Sequence, residues 1–242
     1  MKFIEGGVCA AQGFRAGGIH VGVKTKAGWK KDVALIVSDV DCAAAAVFTK
    51  NVVKAAPIHV DQKHLADGRA RAVIANSGNA NACAPQGEEN AIRMCQAAAK
   101  AIGCKPEDVL VSSTGVIGQT LNVKVIEDGM EELYATLEST VEASDAAAHA
   151  IMTTDLVKKE VAVETTIGGK TVRMGGIAKG SGMIHPNMGT MLSNAGPNAS
   201  IWSVIIPQTN GNGIDNTTSR MYGNTASVYA TPPSGKAFTL AS

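Results

Sequence analysis

Three short apolar runs, Val33 to Val37, Ala72 to Ala75 and Val109 to Val111, constrain this chain most. Val33 to Val37 is continuously apolar and short, which reads as a strand buried on both faces, and the other two read as further buried strands. Between the second and third, Ile92, Cys95, Ala99 and Ile102 recur at helical spacing, and Gly103 is placed to end the helix. An amphipathic helix lying on a buried sheet makes a layered α+β chain. Aromatic residues are only 4% of the sequence, so the core must be built from Ala, Val, Ile, Leu and Met.

The chain has 242 residues, 45% apolar and 18% charged, with net charge +1, the balance of an ordinary globular protein. No basic face is implied, which argues against nucleic acid as a partner. No run approaches a membrane span and Met1 to Ala10 lacks a signal-peptide core, so the expected location is cytoplasmic. Five cysteines, Cys9, Cys42, Cys83, Cys95 and Cys104, include no C-x-x-C pair, and small buried thiols are expected rather than disulfides or a metal site.

Other segments give local expectations. Ile19 to Lys24 alternates apolar and polar and reads as a half-buried strand, and Cys42 to Phe48 leans toward strand despite its four alanines. Asn76 to Ala82 holds three asparagines and a Gly, which suit either a structured turn or a loop lining a polar pocket. Ser112 to Gly118 follows a strand and contains Gly, a place for N–H groups and a hydroxyl to converge on an oxyanion; without a following Lys-Ser or Lys-Thr it is no nucleotide loop. Ile126, Met130, Leu133 and Leu137 mark a helix with Asn122 as N-cap and an acidic, solvated face. Ala146 to Met152 reads as a helix delivering Thr153-Thr154-Asp155. Gly168-Gly169 joins two strands as a hairpin that runs into Gly175 to Ser193, GGIAKGSGMIHPNMGTMLS.

That last run has five glycines, one Lys and one Thr. It suggests backbone held close to a small molecule, with a cation and a hydroxyl aimed at it. The order AKGSGMIHPNMGTML resembles the self-cleavage segment of the ornithine acetyltransferase family, the glutamate N-acetyltransferases of arginine biosynthesis. Three more stretches share the resemblance: Val47 to Pro57, Asn76 to Ala82, and Met152 to Asp155. The resemblance implies a layered α/β/β/α-like sandwich with mostly antiparallel sheets, the α half of an autoprocessing acetyltransferase of the N-terminal-nucleophile kind. By the same resemblance the chain is expected to cut itself between Gly189 and Thr190, and Thr190 to become the nucleophile, its freed α-amine serving as base. It also assigns Thr114 and Gly115 to the oxyanion hole, and Thr153 and Lys179, together with Thr190, to substrate contacts. The implied reaction passes an acetyl group from N-acetylornithine to glutamate. No metal or prosthetic cofactor is implied, acetyl-CoA is a donor in bifunctional members, and the cleaved halves of such a protein assemble as an α/β heterotetramer. His185, beside the site, is expected to play a surface or supporting part.

The family has Ala where this chain has Gly189, and a more flexible residue populates the pose for attack less. The resemblance divides the chain into an α-chain-like region, 1–189, the start of a β chain, 190–193, and a low-charge Asn/Thr/Ser-rich tail, 194–242, unlike the family, with a short strand expected at Trp202 to Ile206. Two rival readings are a self-processing amidase or β-aminopeptidase, whose nucleophile is usually Ser, and an inactive α-chain fragment without β-chain ligands.

Overall fold

The computed structural model describes residues 1–25, 30–44, 46, 48, 52–167, 169–179, 203–209 and 220–222. Its first sheet holds β2 (Phe14–Ile19), β3 (Val33–Ala43), β4 (Arg69–Asn76) and β5 (Val109–Ser113), in that order. The first three run antiparallel, and β5 lies parallel to β4 with Ala72 opposite Val109 and Asn76 opposite Ser113. The parallel pair requires a crossover, which α2 (Gly87–Ile102) provides. Gly103 ends α2 in the left-handed conformation, φ +80°, its N–H bonding to the Ala99 carbonyl.

Val33 to Val37 is buried throughout, and its alternation shows why a continuous apolar run is needed. Val33, Leu35 and Val37 face a core shared with α2, α1 (Ala56–His64), α3 (Val123–Asp128) and α4 (Met130–Ala135). Ala34 and Ile36 face the opposite core, built with Val8, Phe14 and, from α5 (Val141–Ala150), Ala147 and Ala148. A sheet covered on both faces calls for apolar residues at successive positions along its middle strands.

The second sheet orders β1 (Lys2–Ile4), β6 (Lys159–Ile167), β7 (Lys170–Ala178), β8 (Ser203–Thr209) and β9 (Arg220–Tyr222), antiparallel throughout. Ile177 of β7 joins the core beneath β2 and β3, so α5 and the N-terminal turn Gly7–Ala10 lie between the two sheets. The approach is close: a β-carbon on Gly175 would overlap the Gly7 carbonyl. The far face of this sheet exposes Phe3 and Val161 and carries no helix among the described residues, where a four-layer sandwich would place one.

The α+β class, the mostly antiparallel pairing and the 168–169 hairpin agree with the sequence reading. Several expectations shift. The strand placed at Ile19 to Lys24 ends at Ile19, because the buried Asp32 carboxylate captures the next amides. The helix expected through Leu137 is two short helices divided at Gly129, where a side chain would collide with Val21. Asn122 precedes the first of them without a side-chain cap, and Glu127 of the acidic run pairs with Arg93 at 2.7 and 2.8 Å. The strand across Cys42 to Phe48 stops at Ala43. The strand expected at Trp202 to Ile206 is β8, running to Thr209.

Candidate active site

The site begins where β4 and β5 end side by side. Asn76, completely buried, donates from Nδ2 to Ser113 Oγ at 2.8 Å, and its Oδ1 accepts the Gly78 and Asn79 amides at 3.2 and 3.0 Å. Asn79 repeats the device, accepting the Asn81 amide at 2.7 Å and donating to the Gln119 carbonyl at 3.1 Å. Each asparagine thus folds the backbone that follows it, the structured turn of the two readings of 76–82. The turn also shapes the site, because Asn79 bridges to Thr114 and Val116, and the Thr114 N–H bonds to the Asn76 carbonyl at 2.9 Å.

Gly115 sits on this frame with φ +130°, and a β-carbon there would lie 2.5 Å from the Gly78 carbonyl carbon. Only glycine fits both that conformation and that gap. Among the described residues its N–H donates to no backbone acceptor. Thr114 and Gly115 are therefore a fixed pair, a buried hydroxyl beside an amide, of the kind that stabilises a developing oxyanion.

Gly78 in turn packs on the backbone of Val23 and Lys24. The loop from His20 to Lys24 is wound around Asp32, whose carboxylate accepts the amides of Val21, Gly22 and Lys24 at 2.8, 3.2 and 2.9 Å and lies 3.0 Å from His20 Nδ1. The half-buried Lys24 reaches from this loop and donates to the carbonyls of Lys31, 2.9 Å, and Met152, 2.8 Å. Burial lowers its pKa to about 8, even though Asp32 and Asp155 favour its charge.

Met152 leads into the third part. α5 opens with Thr140 capping the Ala143 amide and ends at Ala150, whose carbonyl accepts the Ser77 hydroxyl from the asparagine turn. Past it, the Thr153 N–H donates to Asp155 Oδ2 at 3.3 Å, and Asp155 pairs with Lys159 at 2.7 Å. Lys179 follows β7 directly and is buried, 6% exposed. Burial lowers its pKa, Asp155 opposes that shift and Lys159 adds to it; Lys24 is close enough for the Lys179 charge to lower its own.

Thr114, Gly115, Thr153 and Lys179, from three distant stretches, are thereby linked through Gly78, Lys24, Met152 and Asp155. Thr190, Gly189 and His185 lie outside the described residues. Lys24, Asp32 and Asp155 are absent from the sequence-derived site. Gly22, a glycine inside an apparently alternating strand, is the signal that Ile19 to Lys24 is a loop. The described residues hold no cluster of His, Cys, Asp and Glu suited to a metal ion. None of the five cysteines is in a disulfide; Cys9, Cys42 and Cys95 are buried and Cys83 is exposed. No helix among the described residues is long and apolar enough to cross a membrane.

The model of the ArgJ family matches residues 15–221, a span that runs past Ser193 through β8 and into β9. A chloroplastic arginine biosynthesis bifunctional protein ArgJ from Physcomitrium patens is 51% identical over 191 residues, 78% of this chain and 36% of that protein. The protein of the same name from Gloeobacter violaceus is 49% identical over 211 residues, 85% of this chain and 51% of that one. The chain thus spans about a third to a half of the length of these curated relatives. Among solved structures, arginine biosynthesis bifunctional protein ArgJ from Bacillus halodurans superposes with a TM-score of 0.71 at 44% identity, covering 77% of this chain and 98% of that one. Ornithine acetyltransferase from Mycobacterium tuberculosis, solved with ornithine, gives 0.69 at 39% identity with the same coverage.

Proposed function

The chain belongs to the ArgJ family, and from that premise we propose that it is an acetyltransferase of arginine biosynthesis. The reading is that it moves an acetyl group from N-acetylornithine to glutamate through an acetyl-Thr190 intermediate. What supports it is the chain of contacts that runs from a glycine-locked Thr114-Gly115 pair through Gly78 and Lys24 to the turn carrying Thr153 and to Asp155, which acts on the buried cation Lys179. An acyl transfer to an amino acid needs these parts: donors for an oxyanion and a positive charge for a carboxylate. The matches named arginine biosynthesis protein and ornithine acetyltransferase favour this reading over the β-aminopeptidase.

In the first step the Thr190 hydroxyl attacks the Gly189 carbonyl, its oxygen replaces the amide nitrogen, and an ester links the two residues. Water then cleaves the ester, leaving Gly189 as a new carboxylate and Thr190 with a free α-amine. That amine, closer to neutrality than a Lys amine, takes the hydroxyl proton as the oxygen attacks the acetyl carbonyl of N-acetylornithine. The Thr114 hydroxyl and Gly115 N–H hold the negative oxygen of the tetrahedral intermediate. Ornithine leaves with the proton, and the glutamate amine takes the acetyl group by the reverse path. Thr153 and Lys179 hold the amino-acid part of each substrate.

No metal or prosthetic group enters the proposed reaction, and acetyl-CoA is an alternative acetyl donor to be assayed. The proposed assembly is a cytoplasmic heterotetramer of cleaved halves, which rests on the family resemblance alone. Intact mass of the purified chain beside Thr190→Ala tests the first step. Two fragments divided at Gly189-Thr190, absent from the variant, are expected, with acetyl transfer from N-acetylornithine to glutamate by the cleaved form. An uncut and inactive parent would refute the reading.

A further inference from the structure

Lys24 is a charged group of the site that the proposed reaction leaves without a part. Its main chain is fixed, since Asp32 accepts the Lys24 amide at 2.9 Å and Gly78 packs against the same backbone. Its ammonium is fixed as well, by the Lys31 and Met152 carbonyls at 2.9 and 2.8 Å. An ammonium has three donors, so these two bonds leave one for a ligand. The charged groups that bear on it are Asp32 and Lys30 from its own loop and the start of β3, Asp155 from the turn after α5, and Lys179 from the end of β7.

Asp32 and Asp155 favour the Lys24 charge while Lys179 opposes it, and a carboxylate taken by the remaining donor adds to the favourable side. We propose that Lys24 is a specificity-determining cation of the acetyltransferase site: with Lys179 it takes the substrate's carboxylate. This inference rests on the acetyltransferase reading. It distinguishes Lys24 from a residue that only braces the loop, because a brace serves any ligand alike whereas a cation serves the carboxylate.

The test is calorimetric titration of the whole chain with N-acetylornithine and with N-acetylputrescine, which has the same skeleton without the carboxylate. Lys24→Met and Lys24→Gln are expected to weaken N-acetylornithine about tenfold or more. Both should leave N-acetylputrescine unchanged, and Lys24→Arg should restore the discrimination. Lys24→Gln keeps an amide donor for the carbonyls while losing the charge, and melting temperatures identify a variant that has lost its fold. Equal weakening of both ligands, or of neither, would overturn the role of Lys24 and leave the acetyltransferase reading standing. A parent chain that binds neither ligand would overturn that reading, and this inference with it.

Discussion

Replacing Gly115 by Ala would place a β-carbon 2.5 Å from the Gly78 carbonyl carbon, 2.6 Å from its oxygen and 2.8 Å from the Asn79 nitrogen. Carbon atoms ordinarily approach to about 3.5–4.0 Å, so one wall must retreat by roughly an ångström. Neither can do so cheaply, since both are backbone pinned by the Asn76 side chain. Overpacking of this kind costs about 1–3 kcal/mol. Holding a non-glycine residue at φ +130° adds about 1–2 kcal/mol. The sum, about 2–5 kcal/mol, corresponds to a fall in melting temperature of roughly 4–20 °C for a chain of this size. Gly118→Ala is the control, because Gly118 has φ +74° and nothing within 4 Å of an added β-carbon. It carries the backbone cost alone, about 1–2 kcal/mol. Thermal melting of the two variants beside the parent separates the contributions. If Gly115→Ala melts together with Gly118→Ala, the packing of the oxyanion frame on Gly78 is not what fixes it, and the argument for the site's rigidity fails.

Buried groups away from the site give two further outcomes. Burial holds the Asp61 carboxyl well above the usual carboxylate range, only partly offset by the Val111 N–H that it accepts at 2.8 Å. A carboxyl raised in the fold contributes stability that is complete below its unfolded value of 3.8 and is lost as pH rises through its folded one. Asp61→Asn keeps an acceptor for Val111 and cannot ionise, so urea denaturation should show it gaining on the parent as pH is raised. Parallel stability–pH curves would refute this. Among the thiols, burial pushes Cys9 up to about 12 and Cys95 well above its ordinary value, and raises Cys104, whereas Cys83 is exposed. Maleimide at neutral pH should therefore label one site rapidly, lost in Cys83→Ser, and a second rapid site would contradict the fold around the others.

The sequence discloses elements whose cause is local. Val33 to Val37 reads as a strand because both faces are buried, and the α2 spacing together with Gly103 marks that helix with its end. Gly168-Gly169 announces the hairpin because the turn needs glycine, and Gly169 has φ +78°. The failures arise where a distant group decides. Gly129, where the helix divides, has no room for a side chain because Val21 occupies that space, and no local pattern near Gly129 reports that. The parallel pairing of β5 on β4 is likewise invisible in either strand alone.

The site divides along the same line. Thr114, Gly115, Thr153 and Lys179 stand in short ordered motifs, and a resemblance between motifs finds them without geometry. Lys24 stands in no such motif and reads as the last residue of a strand. Its place depends on Asp32, eight residues on, which takes three amides that a neighbouring strand would otherwise have taken. A buried carboxylate is costly unless donors surround it. Once Asp32 is buried, the loop must therefore wrap it. The wrapped loop turns Lys24 toward Met152 instead of into a sheet, bringing a second cation to the site from a part of the chain with no motif for it. Asp32→Ala should consequently act on the carboxylate-bearing ligand more than on its decarboxylated analogue, following Lys24 itself. Calorimetry on that variant separates this account from one in which Asp32 stabilises β3 alone, for then both ligands would be affected equally.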